Sequence, residues 1–153
     1  MKIAIGCDIA AFELKKVLIN YLKENGFEYV DMGTSTAEDK TNYPIIAEKV
    51  GRAILDEGFD RGILLCGTGI GMCITANKIP GIYAALCHDC YSAQRARKSN
   101  NAQIITMGAR VIGPELAKTI LDTWLKCEFT EGPSSKNVSI VAEIDERYRK
   151  NNI

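Results

Sequence analysis

The sequence has no excess of charge of either sign, because 19 basic residues are balanced by 19 acidic ones. A nucleic-acid-binding domain usually carries a basic patch and a basic excess, so this balance argues against such a partner. The sequence also has no apolar run near the roughly 20 residues needed to cross a bilayer. It has no basic amphipathic stretch of the type that lies on a membrane surface. We therefore expect neither a nucleic-acid partner nor a membrane.

Histidine is scarce, since His88 is the only one, and a secretory signal is not expected at the amino terminus. Cysteine is not scarce, and six cysteines in such a chain indicate reduced thiols and a cytoplasmic location. Cys87 and Cys90 have CxxC spacing, but no second pair accompanies them, which argues against a metal or redox site. For His88 we expect a structural or solvent-facing role, with a catalytic role as the alternative.

The chain has 153 residues, of which 46% are hydrophobic, so one domain can bury a substantial core. Short apolar runs of strand type alternate with segments of helical spacing. Strands are predicted at 2–7, 27–32, 63–65, 82–87 and 102–107, and helices at 12–25, 44–57, from 72, 89–98, 114–127 and about 138–150. This alternation predicts an α/β domain with a parallel sheet and helices on both faces.

The stretch Cys66–Gly71, with the sequence Cys-Gly-Thr-Gly-Ile-Gly, joins the predicted third strand to the next helix. A strand, a glycine turn and a helix start bring several backbone N–H groups to one point, which suits an anion. A thiol at the edge of such a turn is expected to be partly ionised at neutral pH. A thiolate beside an oxyanion cradle can move a proton next to a carbonyl group.

Ligands of parallel α/β sheets collect at the carboxyl ends of the strands. The residues expected there come from four parts of the chain: Asp8, Cys66–Gly71, His88 and Gly108–Arg110. We predict that these segments converge. Asp8 has an alternative role as the N-cap of the first helix, and the two roles are compatible.

Three segments together resemble one family: Lys2–Asp8, Cys66–Gly71 followed by Ala76–Lys78, and Tyr91–Ala93 with Asn100 and Gly108–Val111. The family is ribose-5-phosphate isomerase B together with galactose-6-phosphate isomerase. The resemblance covers residues 1–153 as a single domain. It implies a Rossmann-like three-layer α/β/α sandwich with a five-stranded parallel sheet. It also implies a homodimer, or a tetramer built from it, in which each active site uses residues of both subunits and the last helix packs on the partner.

The same resemblance implies a sugar-phosphate substrate, an aldose–ketose isomerisation through a cis-enediolate, and neither a metal nor another cofactor. Cys66 resembles the base that shuttles the proton between C1 and C2. Thr68 resembles the hydroxyl that moves the proton between O1 and O2, and Asp8 the group that orients the sugar hydroxyls. The backbone N–H groups of the glycine turn resemble the family's enediolate-binding groups, and they belong to Gly67, Gly69, Ile70 and Gly71. Three further substrate-binding roles fall on Tyr43 in the pocket wall, Asn100 from the partner and Arg110 at the phosphate.

The sequence departs from the family at the ring-opening and phosphate-binding ends. Ile9 and Ser99 stand where the family has histidines. Pro133 and Asn137 stand where it has two phosphate-binding arginines, and Lys136 is the candidate to replace part of that charge. We therefore place Ile9, Ser99, Lys136 and Asn137 among the substrate-binding residues. Ribose 5-phosphate is expected to be a poor substrate, and a mostly open-chain four-carbon sugar phosphate a better one.

Two alternatives stay open. In the first, the chain is a non-catalytic sugar-phosphate-binding subunit or sensor. In the second, it is one half of a hetero-oligomeric isomerase. The basic run Arg95, Arg97 and Lys98 has two interpretations as well. It is either a solvated helix face or a source of phosphate-binding charge across the dimer.

Overall fold

The sheet at the centre of the molecule has five strands, all of them parallel. The computed structural model describes residues 1–150. The strands are β1 (Lys2–Cys7), β2 (Glu28–Asp31), β3 (Arg61–Cys66), β4 (Ala84–Leu86) and β5 (Ile104–Gly108), in the order β2-β1-β3-β5-β4. β1, β3 and β5 are buried nearly throughout, which explains why their sequences are continuous apolar runs and do not alternate.

Of the six α-helices, the first five in chain order cover the two faces of the sheet. The six are α1 (Phe12–Glu24), α2 (Tyr43–Asp56), α3 (Ile70–Ala76), α4 (Cys90–Lys98), α5 (Pro114–Leu125) and α6 (Ser135–Lys150), with a single 3₁₀ turn at Ile9–Ala11. The buried residues of α1, α4 and α5 form one core against the sheet, and those of α2 and α3 form a second core on the other face. The predicted three-layer α/β/α sandwich with a five-stranded parallel sheet is confirmed.

Local sequence signals explain the position of α1 and the start of α2. In α1, Leu14, Leu18 and Leu22 lie one turn apart and are buried, and the helix ends before Gly26, whose φ is +72°. In α2, a proline occupies the first turn, where its missing N–H leaves no helical hydrogen bond unmade. No helix within residues 1–150 is long and apolar enough to span a bilayer.

A buried arginine fixes the end of α5 to the sheet. Arg61, at the start of β3, has its guanidinium 5.0 Å from the ring centroid of Trp124. It donates hydrogen bonds to the carbonyl oxygens of Trp124 at 3.3 Å and of Cys127 at 2.9 Å, and it pairs with Glu128 at 2.7 Å. A buried charge of this kind is tolerated because its donors find acceptors.

Several elements differ from the sequence-based bounds by one to three residues, and the differences in β4 and α6 have an identifiable cause. β4 covers only Ala84–Leu86, because the N–H of Ile82 bonds within a turn and that of Tyr83 donates to the side chain of Gln103. α6 starts at Ser135 and not at 138, since the hydroxyl of Ser135 accepts a hydrogen bond from the N–H of Gly132 at 2.9 Å. The expected start of the last helix at about 138 was therefore wrong, and Lys136 and Asn137 lie in the first turn of α6.

Candidate active site

The thiol of Cys66 lies at the end of β3, where the chain turns into α3. Its side chain is buried, and its Sγ accepts a hydrogen bond from the backbone N–H of Gly69 at 3.1 Å. A backbone N–H that points at sulfur stabilises negative charge there. The sequence thus builds a sulfur-centred turn from a buried strand and a glycine three residues later.

Glycine is required at position 69 for two reasons. Its φ of +76° lies in the left-handed region, which side-chain-bearing residues avoid. A Cβ there would also lie 2.8 Å from the carbonyl carbon of Met107 and 2.6 Å from Cδ1 of Leu86. The turn therefore packs directly on the backbone of β5, which holds the N–H of Gly69 against the thiol.

Thr68 lies exposed at the tip of the same turn. Its Oγ1 accepts a hydrogen bond from the N–H of Ile70 at 3.3 Å, so the hydroxyl hydrogen stays available. In the part of the chain that the structure describes, the N–H groups of Gly67 and Thr68 donate to no acceptor. The first N–H groups of α3, including that of Gly71, have no partner within the helix. The turn therefore offers free donors next to the sulfur, as the sequence predicts.

Tyr43, the first residue of α2, lies against the turn from the second core. A Cβ built on Gly71 would be 2.6 Å from Cζ of Tyr43 and 3.0 Å from its hydroxyl oxygen. The ring is therefore in close contact with the backbone of Gly71 and is partly exposed. Tyr43 therefore lies beside the glycine turn, in contact with Gly71.

Asp8 and Arg110 approach the turn from the neighbouring strands. The N–H of Asp8 bonds to the carbonyl of Leu65, and the N–H of Arg110 bonds to that of Gly67, at 3.2 and 3.0 Å. Burial raises the pKa of Asp8, and the positive charge of Arg110 opposes that rise. Asp8 Oδ1 also accepts from the N–H of Ala10 at 3.0 Å, so Asp8 caps the 3₁₀ turn and faces the site.

Ile9 follows Asp8 and has 43% of its surface exposed. It places an apolar side chain next to the carboxylate, at a position without a titratable group. Exposed isoleucine is common on surfaces and means little alone. Beside the carboxylate of Asp8, however, its side chain has no group that can donate or accept a proton.

His88 follows the short strand β4, and its side chain contacts the last residue of β5. Its Nε2 accepts a hydrogen bond from the N–H of Gly108 at 2.9 Å, so the imidazole is neutral there and its proton lies on Nδ1. Burial lowers its pKa, which favours that neutral form. The contact holds Gly108 beside its strand partner Cys66. This geometry matches the structural role expected for His88.

The remaining expected site residues lie at the other edge of the sheet. The chain passes from the carboxyl end of β4 into α4, which runs back along the sheet. Ser99 and Asn100, which follow α4, therefore lie at the amino ends of the strands. Asn100 and Asn137 line one cavity of 280 Å³ there, together with Ala84 at the start of β4. Lys136 is exposed in the first turn of α6. One chain therefore does not bring these four residues to Cys66.

Ser99 has a partner that the sequence did not predict. Its hydroxyl oxygen accepts from Nε of Arg95 at 2.8 Å and also from Nη2 of that guanidinium. The two residues are one helical turn apart at the end of α4. Only the i,i+4 spacing could have indicated this pair, and that spacing alone does not reveal a hydrogen bond.

Comparison with known proteins agrees with this geometry. Residues 3–141 match the Ribose/Galactose Isomerase family. The chain is 58% identical to "Ribose-5-P isomerase B" of Listeria innocua, over 97% of this chain and 100% of the relative. The chain belongs to the ribose/galactose isomerase family. It is a sugar-phosphate isomerase of the aldose–ketose type.

Two further comparisons concern substrate and fold. "D-erythrulose-4-phosphate isomerase" of Pectobacterium atrosepticum is 55% identical, over 90% of this chain and 91% of that one. The ribose-5-phosphate isomerase B structure of Clostridium thermocellum superposes with a TM-score of 0.93 at 44% identity, covering 97% of this chain and 99% of that one. Relatives of nearly equal identity thus carry the names of different sugar phosphates. Family membership fixes the reaction type and leaves the sugar to be argued from the site.

Proposed function

We propose that this sugar-phosphate isomerase acts on a four-carbon substrate, interconverting an aldotetrose 4-phosphate and its 2-ketose through a cis-enediolate, with Cys66 as the base. The observation that carries the choice of base is the hydrogen bond from the N–H of Gly69 to Cys66 Sγ. A base that alternates between thiolate and thiol needs its charged form stabilised without losing access to a proton. One backbone donor at the sulfur supplies that.

The proton movements balance within the turn. In the aldose-to-ketose direction the Cys66 thiolate takes the proton from C2, and the enediolate forms as the carbonyl oxygen gains charge. The free N–H groups beside the sulfur stabilise that charge. The hydroxyl of Thr68 relays the proton between O2 and O1, and Cys66 returns its proton to C1. No oxidant or reductant is consumed.

Asp8 and Arg110 suit the rest of a short chain. The carboxylate of Asp8 accepts hydrogen bonds from sugar hydroxyls, and the guanidinium of Arg110, next to Gly67, suits a phosphate oxygen pair. Tyr43 closes the wall at Gly71. The six cysteines, all within residues 1–150, are free, which suits the cytoplasm in which we expect the enzyme to act.

The four-carbon choice rests on Ile9. Ribose 5-phosphate closes into a furanose through its C4 oxygen, so an enzyme that uses it must first open the ring with an acid and a base. An aldotetrose 4-phosphate has that oxygen esterified and stays open. An exposed isoleucine beside Asp8 can do no proton transfer. The lack of a ring-opening group at this position costs nothing with a tetrose phosphate and much with ribose 5-phosphate.

A shared active site in a homodimer completes the proposal. Asn100 and Asn137 lie at the edge of the sheet opposite Cys66, so they can serve a site only in another copy of the chain. α6 fits an interface, because its apolar residues Ile140, Val141 and Ile144 are 40–49% exposed. A tetramer would add a second interface. Sedimentation velocity of the purified chain tests this part, and an active monomer would contradict it.

Steady-state kinetics with an Ile9→His variant test the substrate. The wild type should have a higher kcat/KM on D-erythrulose 4-phosphate than on ribose 5-phosphate. Ile9→His should raise the ribose 5-phosphate value about tenfold or more, since a positioned acid–base group is worth about 10²–10⁴. The matched control is Leu55→His, an equally exposed apolar residue at the end of α2, and it should change neither value. A wild type that prefers ribose 5-phosphate would refute the four-carbon assignment.

A further inference from the structure

Three arginines lie close together near the end of α4, and only one of them has no acidic partner. Arg61 and Arg97 both pair with Glu128, at 2.7 and 3.5 Å. Arg97 also donates to the carbonyl of Ala102 at 3.2 Å and is nearly buried. Arg95 makes no ion pair within residues 1–150, and its guanidinium bonds to the neutral hydroxyl of Ser99. Its side chain is thus held in place while its charge stays uncompensated.

Arg95 lines a polar cavity of 430 Å³ between α4 and the loop that leads to α6. Lys98 supplies a second positive charge there, and Thr130 and Ser134 supply hydroxyl groups. Of the two acids at the rim, Glu128 is already paired with arginines, which leaves Glu131. Two cations and two hydroxyls around a cavity of this size make a suitable receptor for a phosphoryl group.

The position of this cavity connects it to the reaction. Pro133 lines it, at one of the two positions where the family resemblance leads one to expect a phosphate-binding arginine. Ser99 stands at one of the two positions where the family has a histidine, and its hydroxyl oxygen accepts a hydrogen bond from the guanidinium of Arg95. Asn100, next to Ser99, lies at the edge of the chain that would face a partner's Cys66. One of the two lost positive charges, at Pro133, and the unpaired Arg95 therefore occur at the same cavity.

We propose that Arg95, held by Ser99 and assisted by Lys98, binds the phosphate of the substrate in the partner's active site. This inference rests on the proposed isomerase with a shared site. It assigns the specificity for a phosphorylated substrate to a pair of residues on α4. The other half of the anion site is Arg110 at the glycine turn of the opposite subunit. Arg97, bound to Glu128, keeps a structural role.

An Arg95→Gln variant of the full chain tests the assignment. KM for D-erythrulose 4-phosphate and the inhibition constant of inorganic phosphate should both rise about tenfold or more, the loss expected for one charge-assisted hydrogen bond. The value of kcat should stay near that of the wild type, and Ser99→Ala should shift KM in the same direction by less. Arg52→Gln, an exposed arginine of α2, is the matched control and should leave all three constants unchanged. Unchanged KM and inhibition constant in Arg95→Gln would overturn the proposal.

Calorimetric titration with inorganic phosphate separates this inference from the proposed function. Wild type that binds phosphate about tenfold more tightly than Arg95→Gln supports the anion site whatever the turnover. Equal binding by both refutes it even if the isomerase activity is confirmed.

Mixing two defective chains tests the assignment to the partner's site. A dimer of Cys66→Ala with Arg95→Gln contains one site that has both native residues only if Arg95 acts across the interface. In an equimolar mixture that re-assorts at random, about a quarter of the sites should contain both native residues, and these are expected to appear as a phase with the wild-type KM. A mixture that keeps the high KM of Arg95→Gln would contradict the shared anion site.

Discussion

Replacing Gly69 by alanine would separate the geometry of the glycine turn from its chemistry. The variant adds one methyl group and removes no functional atom. Gly69 has a φ of +76°, and the new Cβ would lie 2.8 Å from the carbonyl carbon of Met107. Because that neighbour is backbone of the buried strand β5, it cannot move aside as a flexible side chain would. The turn must shift, and with it the N–H that donates to Cys66 Sγ.

The expected loss of stability has two parts. A left-handed conformation costs an alanine about 1–2 kcal/mol. The contact with Met107 adds a further cost of about 1–3 kcal/mol, the range for overpacking a well-packed core. Activity should fall by about 10²–10³, the usual cost of losing one preorganised backbone donor. The free energy of unfolding should therefore drop by about 2–5 kcal/mol, the sum of the two costs.

Gly26→Ala is the matched control, since its φ is +72° and a Cβ there meets nothing within 4 Å. It should lose only the conformational part of the stability and keep full activity. Urea unfolding at pH 7.5 gives the two free energies, and initial rates on D-erythrulose 4-phosphate give kcat/KM. If Gly69→Ala keeps wild-type kcat/KM and loses no more stability than Gly26→Ala, the tight packing of the turn is not what organises the site.

Two further predictions concern ionisation. Burial raises the pKa of Cys7, and it raises the pKa of Cys87 to about 12. Iodoacetamide at pH 7.5 should therefore modify Cys66 before these two thiols, and also before the partly exposed Cys73 and Cys90. Peptide mass mapping in which another cysteine reacts first would contradict the assignment. Burial lowers the pKa of His88 from 6.5, so the unfolded chain binds the proton more tightly and the free energy of unfolding should fall as pH drops through about 6.5; His88→Gln, which keeps an acceptor for the N–H of Gly108, should flatten that slope in urea unfolding between pH 5.5 and 7.5, and an unchanged slope would refute it.

Much of the fold could be predicted because the burial of each strand and helix determines which of its positions are apolar. β1, β3 and β5 are buried on both faces, so their apolar runs are continuous, and the convergence of Asp8, Cys66, His88 and Arg110 follows from their places after parallel strands. The limits of β4 could not be predicted in the same way. They depend on a hydrogen bond from the backbone of Tyr83 to the side chain of Gln103, twenty residues away.

The candidate site shows the same division. The glycine turn could be recognised because its chemistry is local and lies within six residues. Two contacts join distant parts of the chain, that of Tyr43 with Gly71 and that of His88 with Gly108. The hydrogen bond of Arg95 with Ser99 depends on side-chain conformation, which the sequence does not show. The start of α6 at Ser135 depends on a hydrogen bond to the side chain of Ser135, which the composition of this segment does not reveal.

Solvent exchange at carbon tests the central claim, that Cys66 carries the proton. D-erythrulose 4-phosphate is incubated in deuterated water with the wild type or with Cys66→Ala, and proton NMR follows deuterium entry at C1 of the ketose and C2 of the aldose. The wild type should incorporate deuterium at both carbons. Cys66→Ala should incorporate none above background while binding inorganic phosphate as the wild type does. Exchange by Cys66→Ala at the wild-type rate would contradict the account, because another group would then be the base.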